Sequence, residues 1–107
     1  GDDGARIMND AKVLQAAGIF ALVLELVPEE LATQISNELS IPVIGIGAGA
    51  GCDAQVLVWT DLMGITKNPP KLAKAYRQLR NEMLAAAQEF AAEVSAGQFP
   101  GPEHTFH

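Results

Sequence analysis

Two short apolar runs, residues 19–28 (IFALVLELVP) and 41–51 (IPVIGIGAGAG), constrain this chain more than any other feature. A stretch with helical spacing precedes each of them. Ahead of the first run, Ile7, Ala11, Leu14 and Ala17 recur at that spacing from Ala5 to Ala17, and Gly18 stands where a helix stops. Between the runs, Pro28 suits the first turn of a second helix and Glu29 and Glu30 favour its positive end. Leu31, Ile35 and Leu39 give this helix a buried stripe that ends by Ser40. The order helix, strand, helix, strand is the signature of right-handed crossover units in a parallel sheet, and barrel and doubly wound folds both satisfy it.

The first run is bounded by Gly18 and Pro28 and reads as a strand buried on both faces. Alternation places Phe20, Leu22, Leu24 and Leu26 on one face, expected to meet helices, and Ala21, Val23 and Glu25 on the other. Glu25, near the C-terminal end of the run, is the candidate catalytic side chain. A carboxylate costs several kcal/mol to bury uncompensated, so it must be paired, protonated or set beside ligand and water. Barrels of alternating strands and helices carry catalytic groups at such strand ends. An ion pair with a basic residue, or capping of a neighbouring helix, explains a glutamate there equally well.

On the second run Val43, Gly45 and Gly47 share a face, and that face is nearly bare. Paired glycines in a strand mark the close approach of a ligand, loop or backbone, so this bare face and the face carrying Glu25 can border one cavity. Gly45 to Gly51 resembles a phosphate-cradling loop in composition. It lacks the GxGxxG spacing and the Lys with Ser or Thr of a P-loop, which favours a tight turn over an anion site. Asp53 sits at a helix N-cap position, and 54–64 (AQVLVWTDLMG) is ambiguous between helix and strand, with a short helix preferred.

Residues 67–70 (KNPP) break the chain. Beyond them Leu72, Tyr76, Leu79, Met83, Ala87, Phe90 and Val94 predict a long helix through to Gly97, roughly 39 Å at 1.5 Å per residue. A helix of that length can protrude and pack on a neighbouring subunit. The tail, GQFPGPEHTFH, has no periodicity and reads as an ordered loop or a disordered end. His104 and His107 are three apart without helical context, which argues against a metal pair. Trp59 and Tyr76 read as packing residues, and Cys52 has no partner histidine to make it a nucleophile.

Composition narrows the function classes. With 49% hydrophobic residues over 107 positions the chain can build one core. Thirteen acidic against seven scattered basic residues give no footprint for nucleic acid or an anionic membrane. One cysteine excludes an internal disulfide framework and suits a cytoplasmic setting. No eighteen-residue apolar stretch and no signal-like start are present. The opening Gly1 to Gly4, without an initiator methionine, leads us to expect that these residues belong to a longer protein.

Four segments in order, 22–28 (LVLELVP), 41–49 (IPVIGIGAG), 52–64 (CDAQVLVWTDLMG) and 96–106 (AGQFPGPEHTF), resemble the C-terminal part of the ketopantoate hydroxymethyltransferases. The resemblance covers nearly the whole chain. It implies an α/β fold, the C-terminal portion of a (β/α)8 TIM barrel with a long C-terminal helix, residues 1–107 forming one partial barrel domain. It implies cytoplasmic homo-oligomers that use Mg2+ and 5,10-methylenetetrahydrofolate to move a one-carbon unit to C3 of 3-methyl-2-oxobutanoate, on the pathway to pantothenate. Glu25 matches the glutamate taken as the base that removes the C3 proton, and an apolar surround would raise its basicity. The family's metal ligands and a further active-site lysine belong to earlier strands, so the Mg2+ ligands are expected outside this chain. The fragment alone is then expected to be inactive.

Two positions depart from the family pattern: Ala54 stands where Gly is usual, and Thr60 where His or Gln commonly precedes the aspartate matching Asp61. The rival readings are a related barrel acting on 2-oxo acids or phosphoenolpyruvate, and a non-catalytic interaction module. The tail PGPEHTF argues against the first, and the open edges and small core of two strands argue against the second.

Overall fold

The computed structural model describes residues 2–107, which divide into two compact units meeting in sequence at Val58 and Trp59. The first holds α1 (Asp2–Ala16), β1 (Leu22–Glu25), α2 (Glu29–Glu38), β2 (Val43–Ile46) and β3 (Ala54–Gln55). The second holds α3 (Trp59–Leu62), α4 (Leu79–Ser95) and a 3-10 turn, Pro102–His104. The class is α/β, with a small parallel sheet and helices.

In the first unit α1 starts at Asp2, ahead of the expected Ala5, with Asp2 and Asp3 placed at its positive end. It closes at Gly18, whose φ of 99° is open to glycine at no steric cost. There the Gly18 N–H donates to the Gln15 carbonyl at 3.0 Å and the Ile19 N–H to that of Leu14 at 3.4 Å, a Schellman closure. The Gln15 carboxamide oxygen then accepts the Ser40 and Ile41 N–H groups at 2.7 and 3.3 Å, fixing where the second crossover begins.

The sheet has three strands in the order β1-β2-β3, every pair parallel. The third strand replaces the helix expected after Asp53. Instead of capping a helix, Asp53 accepts the Val43 N–H on Oδ2 at 2.8 Å, and its own N–H donates to the Val43 carbonyl at 2.9 Å. The Val56 N–H donates to Gly45 at 3.0 Å. These bonds spend on the sheet edge the donors and acceptors that a helix from Ala54 would use internally, and only Trp59–Leu62 becomes helical.

Ala11 of α1, Ala32 and Ile35 of α2, and Leu24, Val27, Leu39, Val43 and Ala48 make the core. Ile35 and Val43 are fully buried, each a burial worth about 1.5–3 kcal/mol. All of this lies on one side of the sheet. Among the described residues of the first unit no element covers the second face, and Val23 there is 54% exposed, where burial on both faces was expected. The strand also ends sooner than the apolar run, and Phe20 and Leu26, expected to meet helices, are exposed.

Lys12 of α1 and Glu38 of α2 form an ion pair at 2.9 Å. The hydrogen bond from Lys12, with a second from Gln34, holds the Glu38 carboxyl below its ordinary pKa. A depressed carboxylate stabilises the fold above the unfolded-state pKa, and that contribution disappears as the pH falls through the lower folded value. Lys12→Met is expected to return the Glu38 titration, followed by NMR, toward the ordinary glutamate range. An unmoved midpoint would rule out the pair as the main cause.

In the second unit α4 begins at Leu79, not Leu72, so its 17 residues span about 26 Å instead of 39. The reason is where the backbone donors go. The N–H groups of Tyr76, Leu79 and Arg80 donate to the carbonyls of Leu62, Met63 and Gly64 at 2.8, 2.9 and 3.1 Å. The carbonyls at and just beyond the end of α3 thus take donors that earlier helical turns would need. Gly64 makes this approach possible: its φ is 75°, and a Cβ there would run into the Arg77 carbonyl oxygen. Gly64→Ala is expected to lower stability by at least about 1–2 kcal/mol, from the left-handed backbone alone, in a denaturant titration.

The tail is ordered against the end of α4. The Phe90 and Phe99 rings meet edge-to-face at 5.4 Å, and His104 lies over Phe99 at 4.9 Å. Lys74 sits 4.7 Å above the Tyr76 ring, while Trp59, expected to pack, is exposed. Among the described residues no helix is long and apolar enough to cross a membrane.

Candidate functional site

Register decides which side chains share the surface that carries Glu25. Leu22, Val23, Leu24 and Glu25 pair with Val43, Ile44, Gly45 and Ile46, and β3 continues the row with Ala54 beside Ile44. Partners in a parallel ladder pleat together, so Leu22, Leu24, Val43 and Gly45 lie on the helix-covered face. Val23, Glu25, Ile44, Ile46 and Ala54 share the open one. The result is an apolar patch with a single carboxylate at the C-terminal edge of the sheet.

This corrects the expectation that the bare face of β2 borders the same cavity as Glu25. Gly45 lies on the opposite side, and its missing side chain leaves room for Cys52, whose Sγ is 2.9 Å from where a Cβ would stand. Gly49 and Gly51 serve packing against α2: a Cβ at Gly49 would meet Glu29, and one at Gly51 would meet Thr33. Protein side chains approach Gly45, Gly49 and Gly51. Cys52 is a free, half-buried thiol used in this packing.

Glu25 itself is exposed where burial was expected, since among the described residues of the first unit no element covers the open face. Among the described residues it takes part in neither a salt bridge nor a side-chain hydrogen bond, so the ion-pair and capping readings gain no support. A carboxylate held on a rigid strand end, unengaged and flanked by apolar side chains, is suited to accept a proton from a bound carbon acid. Immediately after it, Leu26 has a φ of 55°, the one non-glycine residue with positive φ among those described. Sequence inspection missed this feature, since alternation continues through Leu26 as though the strand did.

The two departures have local readings. Ala54 does not adopt positive φ, so its effect is a methyl group on the open face beside Ile44 and not a strained turn. Thr60 contributes its carbonyl, which accepts the Ile65 and Thr66 N–H groups at 2.8 and 3.2 Å. Asp61 is buried and accepts the Thr66 hydroxyl at 2.6 Å, a bond that holds the turn after α3. Among the described residues no group of three or more His, Cys, Asp or Glu side chains is placed to hold a metal ion. A groove of about 800 Å3 between α1 and α2, lined by Ile7, Met8, Lys12, Pro28, Leu31 and Gln34, does not include Glu25.

The profile of ketopantoate hydroxymethyltransferase matches residues 1–102. This chain belongs to that family. It is 54% identical over 107 residues to the 3-methyl-2-oxobutanoate hydroxymethyltransferase of Acidothermus cellulolyticus, covering 99% of this chain and 40% of that protein. Like-named proteins of a Nocardioides strain and of Streptomyces coelicolor are 49% and 50% identical, over 99% and 100% of this chain and 36% and 38% of theirs. The chain therefore spans about two fifths of the length of these relatives. β1, β2 and the open face they share fall wholly within the matched residues.

Proposed function

We propose that these residues form part of a 3-methyl-2-oxobutanoate hydroxymethyltransferase and that Glu25 is its general base. The supporting observation is the coincidence of two independent facts: the family match spans β1, and β1 delivers an unengaged carboxylate to the C-terminal edge of a parallel sheet. The open face of β1, β2 and β3 then lines the interior of a (β/α)8 barrel that the rest of the polypeptide closes. The reaction takes place at the strand ends, where Val23, Ile44 and Ile46 offer an apolar surface to a branched 2-oxo acid.

The chemistry assigned to this chain is one proton transfer. A carboxylate oxygen of Glu25 takes the proton from C3 of 3-methyl-2-oxobutanoate, and the C–H electron pair becomes the enolate. C3 then bonds to the one-carbon unit of 5,10-methylenetetrahydrofolate as both of its carbon–nitrogen bonds break; water supplies the hydroxyl, and the remaining proton of that water and the proton taken by Glu25 pass to the two folate nitrogens. In this reading the Mg2+ ligands lie outside the residues described here, and the ion would supply stabilisation of the enolate when bound.

Incubating the intact protein with 3-methyl-2-oxobutanoate in deuterated water, without folate, tests the assignment. Loss of the C3 proton signal in the NMR spectrum, faster than in buffer, is the expected result. Retention of that proton, with turnover of another 2-oxo acid or of phosphoenolpyruvate, would move the assignment to the related barrel chemistries.

A further inference from the structure

We propose that Leu26 is a positioning residue that aims the Glu25 carboxylate through its left-handed backbone; the proposal rests on the reading of Glu25 as the base. A bulky residue at positive φ is uncommon and persists only where the surroundings over-determine it. At Leu26 the φ is 55°, and the Leu26 N–H donates to the Ile46 carbonyl at 3.0 Å, one step past the last paired residue of β1. Glu25 is thus held by the ladder on one side and by a fixed turn on the other.

Among the described residues the side chain of Leu26 is not part of the core. It is 67% exposed, whereas Val27, next in the chain, is 8% exposed and part of the core. Continued alternation would have sent residue 26 to the core face with Leu22 and Leu24. The left-handed turn instead ends the strand at Glu25, sends Val27 inward and lets Pro28 open α2. Without that turn β1 runs on, and the carboxylate sits in mid-strand and no longer at the edge. What matters at position 26 is the backbone conformation, so the residues that tolerate it should be interchangeable in a way that size and hydropathy do not predict.

Asparagine tolerates the left-handed region and β-branched residues resist it. In the intact enzyme, Leu26→Asn and Leu26→Ile are compared by kcat and KM for C3 proton exchange, well below the melting temperature of either. Leu26→Ile keeps the hydropathy and volume of leucine, yet its kcat is expected to fall roughly ten- to a hundredfold below that of Leu26→Asn, with KM similar in the two. Equal rates, or a faster Leu26→Ile, would overturn the proposal, because they would assign the role to the side chain. Should Leu26→Ile not fold, Leu26→Thr against Leu26→Asn makes the same comparison between two small polar residues of which only one is β-branched. Glu25→Gln is run alongside. Undiminished exchange there removes the reading of the base, whereas lost exchange with equal position-26 variants removes the positioning role alone.

Discussion

Glu25→Gln in the intact enzyme is expected to lower the rate of C3 proton exchange by roughly 10²–10⁴-fold, the usual contribution of a positioned general base. Glutamine keeps the shape and the hydrogen-bonding oxygen and loses only the ability to accept a proton. Among the described residues Glu25, at the end of β1, has no ion-pair or side-chain hydrogen-bond partner to lose, and an unchanged melting temperature is the expected outcome. Substrate affinity, followed by saturation of the residual exchange, should change little. A drop in stability together with activity would mean that the carboxylate holds structure, and unaltered exchange would require a base from another part of the protein.

The second large effect is on stability. Ile35 is fully buried on the stripe of α2 that packs against Leu24 and Val43 of the sheet, and Ile35→Ala is expected to cost about 2–5 kcal/mol. The lower value applies if α1 and α2 close over the lost volume, the higher if the cavity persists. Val13→Ala, at a position 57% exposed on α1, removes a similar kind of side chain and should stay within about 0.5 kcal/mol. A chemical-denaturation midpoint for each variant separates the two cases. Near-equal midpoints would show that Ile35 is not central to the core.

Some of this was legible in the residues because it depends on local chemistry alone. The stop at Gly18, the start of α2 after Pro28, its stripe of Ile35 and Leu39, and the two apolar strands follow from helical period, turn residues and hydropathy. Glu25 was found for the same reason, as a charge inside an apolar run, and its place at the strand end came out as expected.

Other features depended on partners distant in the chain. Residues 54–55 carry too short a pattern to separate helix from strand, and the bonds between Asp53 and Val43 and between Val56 and Gly45 decide for the strand. Helical spacing from Leu72 was real, but the carbonyls of Leu62, Met63 and Gly64 take the donors that the first two turns required.

Which face of β2 looks toward Glu25 was likewise beyond the sequence. Alternation sorts side chains within one strand, while the register between strands is set by long-range hydrogen bonds, and a shift of one residue exchanges the faces. So the amino-acid sequence by itself determined the family, the crossover order and the residue that carries the candidate chemistry. Tertiary structure decided that Ile44 and Ile46, not the glycines, stand beside that residue, and that a left-handed Leu26 ends the strand at it, because both rest on backbone bonds between segments some twenty residues apart.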